Sequence, residues 1–304
     1  MNAVIGIDLG GSQIKAAIFS PEGTLLHQRV SPTDDPPWNG APVPNPPPFA
    51  RHVQRIVAEL EALVGGRVER IGVSAPGLAA QDGHSIAYMP GRMRGLENFD
   101  WGQWLERPVP VLNDAHAALL GEVWQGAARG LRHAVLITLG TGVGGAIWAD
   151  GRLLRGRVGR AGHLGHLCLD PFGPPTITRM PGGLENWIGN YNVVERSGGK
   201  FPNTHALIAA YEAGNPLAAE VWLRSIRALG CAVASIVNLF DPEAVIIGGG
   251  IARAGQALFE PLACILDKVE WRPAGARVPV IPTELGEWAG TWGAAFAAMG
   301  GAPA

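Results

Sequence analysis

The feature that most limits what this chain can fold into is a loop that occurs twice. Ile5-Gly6-Ile7-Asp8-Leu9-Gly10-Gly11-Ser12 runs into a strand-like stretch and a turn at Pro21-Glu22-Gly23. In the second half, Leu136-Ile137-Thr138-Leu139-Gly140-Thr141-Gly142 runs into another strand-like stretch and a turn at Asp150-Gly151. Each copy reads strand, Gly-rich bend, strand, turn, and closes on Leu-Leu (Leu25-Leu26, Leu153-Leu154). Successive backbone N–H groups in such a bend make an anion-binding concavity without a cationic side chain, and Ser12 and Thr141 each add a hydroxyl donor. A plain turn is the alternative for either loop alone. The matched pair points instead to a clamp for a polyphosphate tail, in a nucleotide-using phosphotransferase built from two related halves.

Gly140-x-Gly142-x-x-Gly145 also fits the dinucleotide fingerprint, but that motif needs a helix next, to hold the pyrophosphate at its N-terminus. Here Ala146-Ile147-Trp148-Ala149 and an Asp-Gly turn follow, which signal a hairpin. There is no GxxxxGK[ST], so a Walker-type loop is excluded.

Local patterning extends the duplication. Residues 4–9, 14–20 and 25–30 predict three antiparallel strands, 49–64 a helix, 68–73 and 109–112 strands, and 115–125 a helix. The second half predicts strands at 134–139, 146–149, 153–154 and 244–247, and helices at 204–212, 217–238 and 288–299. The order fits a mixed α/β sheet with helices on its faces. Residues 31–48 are too rich in proline for a helix or central strand and read as a rigid surface loop. Residues 167–183, rich in Pro and Gly, are placed near the substrate.

Composition excludes several classes. A net charge of −2 gives no footprint for nucleic acid or an anionic membrane. Three widely spaced cysteines, Cys168, Cys231 and Cys264, make neither a disulfide framework nor a CxxC metal knuckle. No signal peptide is visible, and no apolar run was found that approaches the roughly 18 residues of a membrane helix. The expectation is a cytoplasmic protein.

Two acidic positions stand out. Asp8 ends a buried-looking strand, where a carboxylate is costly unless it is paired or binds a cation. Beside a triphosphate that cation would be Mg²⁺, held largely through water; a turn-capping Asp is the alternative. Asn113-Asp114 sits at a strand-to-helix junction, where Asn and Asp are ordinary caps. The functional alternative makes Asp114 the general base that takes a hydroxyl proton during phosphoryl transfer.

Together these residues resemble the ROK family of bacterial sugar kinases and sugar-responsive repressors. Asp8-Leu-Gly-Gly-Ser-Gln-Ile-Lys15 is similar to the family's DxGGTxxK loop, and Asn113-Asp114-Ala115 to its NDA. Thr138 to Gly145 resembles its second phosphate loop, Ala161-Gly162-His163-Leu164-Gly165-His166 its AGExGH, and Ile246-Ile247-Gly248-Gly249-Gly250 its adenosine-side loop. Ala289 to Ala295 resembles its Ala/Gly-rich closing helix. The resemblance implies the actin/hexokinase-like (ribonuclease H-like) duplicated α/β fold, two lobes about a central cleft: residues 1–112 with 290–304, and residues 113–289. It implies transfer from ATP, with Mg²⁺, to a free hexose such as glucose, at the 6-hydroxyl. Asp114 becomes the base, and Asn113, Gly77, His163, His166 and Glu185 the sugar contacts. Asp8, Gly10, Gly11, Ser12, Gly140, Thr141, Gly142, Gly248 and Gly249 become the nucleotide contacts, with Asp8 holding Mg²⁺ through water. The sugar is the expected partner, without nucleic acid or membrane, and a homo-oligomer, a dimer, is implied.

The chain departs from the family pattern at three places. His163 stands where Glu is usual, so the pocket presents a different hydroxyl code. The zinc-site cysteine positions hold Thr176, Thr178 and Gly183, so no structural zinc is expected, and the loop must be fixed by its prolines and by packing. Tyr88-Met89-Pro90-Gly91, with Arg92 and Arg94, replaces an Asn-Leu-Pro-like stretch. A non-catalytic sugar sensor and a polyphosphate-dependent kinase are the rival readings. Lys15 matches its motif without a role attached.

Overall fold

The structure is a computed structural model that describes residues 3–34, 43–89 and 92–301. Contacts divide the chain into two compact units: Met1–Gly130 with Arg152–Ala161 and Glu284–Ala304, and Leu131–Gly151 with Gly162–Thr283.

In the first unit, strands β1 (Val4–Leu9), β2 (Gln13–Phe19) and β3 (Leu25–Pro32) form an antiparallel meander. Helix α1 (Pro48–Leu63) follows, then β4 (Arg70–Ala75), the short pair β5 (Leu78–Ala79) and β6 (Ile86–Tyr88), helix α2 (Trp101–Leu105), β7 (Val111–Asn113) and helix α3 (Asp114–Gln125). The sheet order is β3-β2-β1-β4-β7, with β4 parallel to both β1 and β7.

Strand alternation sorts the residues by face. Ile5, Ile7 and Leu9 share a core with Phe49, Val53, Ile56 and Leu60 of α1, while Val4 on the other face packs with Ala17, Phe19 and Ala295. Asp8 therefore faces the same side as Val4 and Gly6. That side is covered by the last helix, Ala289–Ala298, which approaches the sheet by its backbone. A Cβ at Gly6 would stand 1.8 Å from the Thr291 carbonyl oxygen, and one at Gly72 1.9 Å from that of Ala294.

The same helix meets α3, where a Cβ on Gly293 would stand 1.7 Å from the Ala117 carbonyl oxygen. Buried Glu122 of α3 also accepts from the N–H groups of Glu284 and Leu285. Residues 113–130, expected in the second lobe, thus fall in the first unit, as do 284–289.

The second unit holds β8 (Ala134–Leu139) and β9 (Val143–Ala149), antiparallel; the two-residue β10 (Arg152–Leu153) that follows falls with the first unit. Next come α4 (Leu184–Ile188), α5 (Val193–Arg196), α6 (Thr204–Glu212), α7 (Pro216–Phe240), β11 (Ala244–Gly248), α8 (Gln256–Val269) and β12 (Val280–Pro282). The last helix, in the first unit, is α9 (Ala289–Ala298). The second unit's strands run β9-β8-β11-β12, with β11 parallel to β8 and β12, which repeats the pattern of the first sheet.

Helix α7 starts with Asn215 accepting from Ala218 N–H and Pro216 in the first turn, a common start signal. By length and composition it is the one helix among the described residues apolar enough to cross a membrane, a run the sequence reading passed over. Half of that stretch is buried, and it supplies Trp222, Ile226, Leu229 and Val233 to the core.

Helix α8, which the sequence reading did not predict, carries Pro261 inside it. A proline removes the N–H that would bond to the carbonyl four residues back, here Ala257. Fully buried Trp222 donates its indole N–H to that carbonyl at 2.8 Å, so the break in the helix ladder is filled by a side chain.

Candidate functional site

In the first unit the loop between β1 and β2 is closed by Gly10 N–H donating to Gln13 at 2.9 Å. Buried Thr33 pins it twice: its hydroxyl donates to the Gly10 carbonyl at 2.6 Å, and its N–H to that of Ser12 at 3.1 Å. Asp8, at the end of β1, lies beside Ser74 of β4 in register, and the Ser74 hydroxyl donates to its Oδ1 at 2.5 Å. Helix α9 closes against this carboxylate, for a Cβ on Gly290 would stand 2.7 Å from Asp8 Cγ. Burial, above all, pushes the Asp8 carboxyl up to about 6; the Ser74 bond and the charge of Lys15 oppose the rise, and Asp114 adds to it.

Asn113 ends β7 and caps α3. Its Oδ1 accepts from the N–H groups of Ala115 at 3.0 Å and His116 at 3.3 Å, and its Nδ2 donates to the Gly77 carbonyl at 2.9 Å. The capping alternative therefore holds for Asn113. Asp114 is the first helical residue and meets solvent. Its carboxyl is nonetheless raised by the surrounding protein, against the Ala115 N–H, Asn113 and the Arg92 charge. Solvent contact tempers that rise. The first unit thus brings together Asp8, Gly10, Gly11, Ser12, Gly77, Asn113 and Asp114. Lys15 finds its partner here too: its Nζ donates to Glu287 Oε2 at 2.8 Å and to that residue's carbonyl at 3.0 Å, tying β2 to the start of α9.

In the second unit the equivalent loop is closed by Gly140 N–H donating to Gly142 at 3.0 Å. Asn190 and Tyr191 donate backbone N–H groups to the carbonyls of Gly140 and Thr141. Glu185, buried on α4, lies against this loop: a Cβ on Gly142 would stand 3.0 Å from its Oε2. Burial raises the Glu185 carboxyl against a bond from Val143 N–H, and burial lowers His166. His166 Nδ1 and Glu185 Oε1 stand 3.5 Å apart, both buried and both without a hydrogen-bond partner. Such an orphan donor–acceptor pair is what a ligand hydroxyl fills. His163 precedes the 3₁₀ turn at Leu164–His166 that carries His166.

A pocket of about 580 Å³ adjoins the second loop, lined by Gly140, Thr141, Ile208, Glu212, Gly250 and Ile251 among others. Its size suits a nucleoside. Gly248 and Gly249, expected there, sit just behind, where a Cβ on Gly249 would stand 2.3 Å from the Leu139 carbonyl oxygen.

The sequence reading missed Ser74, Thr33 and the pocket on α6. Ser74 is a lone hydroxyl in an apolar strand; only the β1–β4 register sets it beside Asp8. Arg92 lies near Gly11 and acts on Asp114. Residues 35–42 of the proline-rich segment, and Pro90 and Gly91, lie outside the described residues, and 31–32 belong to β3. Residues 167–184 are fixed less by prolines than by a ladder of main-chain bonds. Leu169 donates to Gly182, Gly182 to Pro174, Thr176 to Met180 and Leu184 to Leu167, all within 2.9 Å. The hydroxyls of Thr176 and Thr178 bond each other at 3.0 Å.

A family model described as the ROK family matches residues 4–300. The glucokinase of Thermotoga maritima is 33% identical over 290 residues, 85% of each chain. Among solved structures, a ROK hexokinase from Thermus thermophilus superposes with a TM-score of 0.82 at 32% identity, covering 96% of both chains. A ROK glucokinase from Streptomyces griseus, solved with glucose and AMPPNP, gives 0.78 at 28% identity, over 98% of this chain and 100% of that one. The duplicated sheets described above are the actin/hexokinase-like fold.

Proposed function

The chain belongs to the ROK family, and we propose that it transfers the γ-phosphoryl group of ATP to the 6-hydroxyl of a free, glucose-like hexose, with Asp114 as the base. That it is a sugar kinase rests on relatives and structures that agree over nearly the whole chain. The single observation that carries the assignment of the base is the division of labour at the start of α3. Asn113 supplies the cap, which leaves Asp114 exposed at the helix start with a carboxyl of raised affinity for a proton. A carboxylate in that state is suited to accept a hydroxyl proton as the hydroxyl attacks phosphorus.

The polar atoms left without partners suit the substrate. Glu185 Oε1 accepts from a sugar hydroxyl, and His166, held neutral by burial, donates or accepts through Nδ1. His163 adds an imidazole where the family pattern has a carboxylate, which alters the hydroxyl set recognised. In the second unit the backbone N–H groups of the Gly-rich loop at residues 140–142 suit a phosphate, and the nucleoside takes the adjoining pocket of Ile208 and Ile251. Asp8 fits a cation: it is a half-buried carboxylate that accepts from the Ser74 hydroxyl and feels the charge of Lys15. Mg²⁺, when bound there through water, supplies neutralisation of phosphate charge. Arg92 lies near Gly11 and adds positive charge close to Asp114. The use of ATP and a free sugar supports a cytoplasmic location.

The test is ADP release from MgATP with glucose, mannose, fructose, allose, N-acetylglucosamine and N-acetylmannosamine, for the protein and its Asp114→Asn variant. Loss of a general base costs about 10²–10⁴-fold in turnover, with the sugar KM little changed. Sugar-dependent turnover that survives the substitution removes Asp114 from the chemistry. Binding of sugar with no turnover on any of the panel moves the protein to the sensors.

A further inference from the structure

We propose that the second unit binds a small inorganic anion, a halide such as chloride, between α4 and α7, in a pocket formed by Trp187, Arg196 and Arg224. The pocket measures about 20 Å³ and is lined by these three residues with Val221 and Ser225. That is room for one occupant the size of a water molecule. The lining offers donors and positive charge. Arg196 Nε and Trp187 Nε1 are both buried without a hydrogen-bond partner. The terminal nitrogens of Arg196 are used elsewhere, donating to the carbonyls of Gly189 at 2.5 Å and Ile188 at 3.4 Å. Arg224 makes no ion pair among the described residues.

No carboxylate lines the pocket. Its one hydroxyl, on Ser225, spends its proton on the Val221 carbonyl at 3.1 Å. A water placed there needs acceptors for its own two hydrogens, and among the lining side chains only the Ser225 oxygen can accept. A halide needs none, and it pairs with the two guanidinium groups. Burial also pushes the Arg196 guanidinium down to about 10, the response of a cation that lacks a counter-charge. The bound ion would join α4, which carries Glu185, to α7, the longest helix of the unit's core.

The experiment uses the full chain and chloride as the probe. Excess ³⁵Cl linewidth is measured for the protein and for Arg224→Gln and Trp187→Phe. The melting midpoint is followed in sodium chloride against sodium gluconate at equal ionic strength. Arg224 is exposed and Trp187→Phe keeps an aromatic ring, so both variants are expected to fold. The expected result is excess broadening in the protein that falls several-fold in each variant. It comes with a midpoint about 2–4 °C higher in chloride for the protein alone. Equal linewidths in all three proteins, or equal midpoints in the two salts, overturn the proposal and leave a pocket that holds water only.

Discussion

Replacing Asp8 with asparagine is expected to stabilise the fold at neutral pH. The carboxyl is raised from the ordinary 3.8 to about 6, with burial as the largest cause. A group whose folded-state pKa is raised contributes stability that is complete below its unfolded value and is lost as the pH climbs through the folded one. Asp8 thus costs the fold nothing below about pH 3.8 and its full penalty above about pH 6. At about 1.36 kcal/mol per pH unit, that penalty is about 3 kcal/mol at its ceiling. Solvent reaches part of the side chain and brings the expected value to between about 1 and 3 kcal/mol. Asparagine keeps an oxygen to accept from Ser74 and removes the charge. Urea unfolding of both proteins at about pH 4 and pH 7.5 measures the effect. The stability difference between them must widen toward the variant at the higher pH, by the amount given. A difference that stays flat across this window refutes the account of a strained carboxylate, whatever its role in phosphoryl transfer.

Other substitutions probe separate parts of the argument. Trp222→Phe leaves the Ala257 carbonyl without its donor opposite Pro261 and should cost about 1–3 kcal/mol in urea unfolding. Gly72→Ala places a methyl 1.9 Å from a backbone carbonyl that no rotamer change can relieve; a loss at or above about 3 kcal/mol is expected by the same assay. Glu185→Gln turns one carboxylate oxygen into an amide donor and removes the charge beside His166; it should raise the sugar KM by about 10–100-fold, with a smaller change in kcat, in the ADP-release assay.

Much of the fold was readable because its signals are local. The six-residue strands β1 and β8, helix α6 and the cap of α3 follow from alternation, periodicity and cap residues close by in the chain. What the chain order hides is tertiary. Pro261 argues against a helix until Trp222, far off in sequence, is seen to repair it. Ser74 has no motif of its own and gains meaning only through pairing with Asp8. The lobe boundary was set one helix early because nothing local reveals that Gly121 and Gly293 let α3 and α9 meet by their backbones. At the site, Asp8 and Asn113-Asp114 were legible as residues. That Asn113 is the cap and Asp114 the first, solvent-facing helical residue is set by the geometry of the junction.

The first unit is assembled from three separated stretches of chain, and this has a consequence for synthesis. Domains usually fold N-terminal first as they leave the ribosome. Here the opening sheet emerges early but lacks α9, which covers the Gly6 and Gly72 face and abuts Asp8. Residues 131–151 and 162–283 are all translated before that helix appears. The stretch that begins the chain is therefore the last to be completed. A nascent chain has its carboxylates in sequence long before it has them in place, so phosphoryl transfer is withheld until residues 284–298 are out.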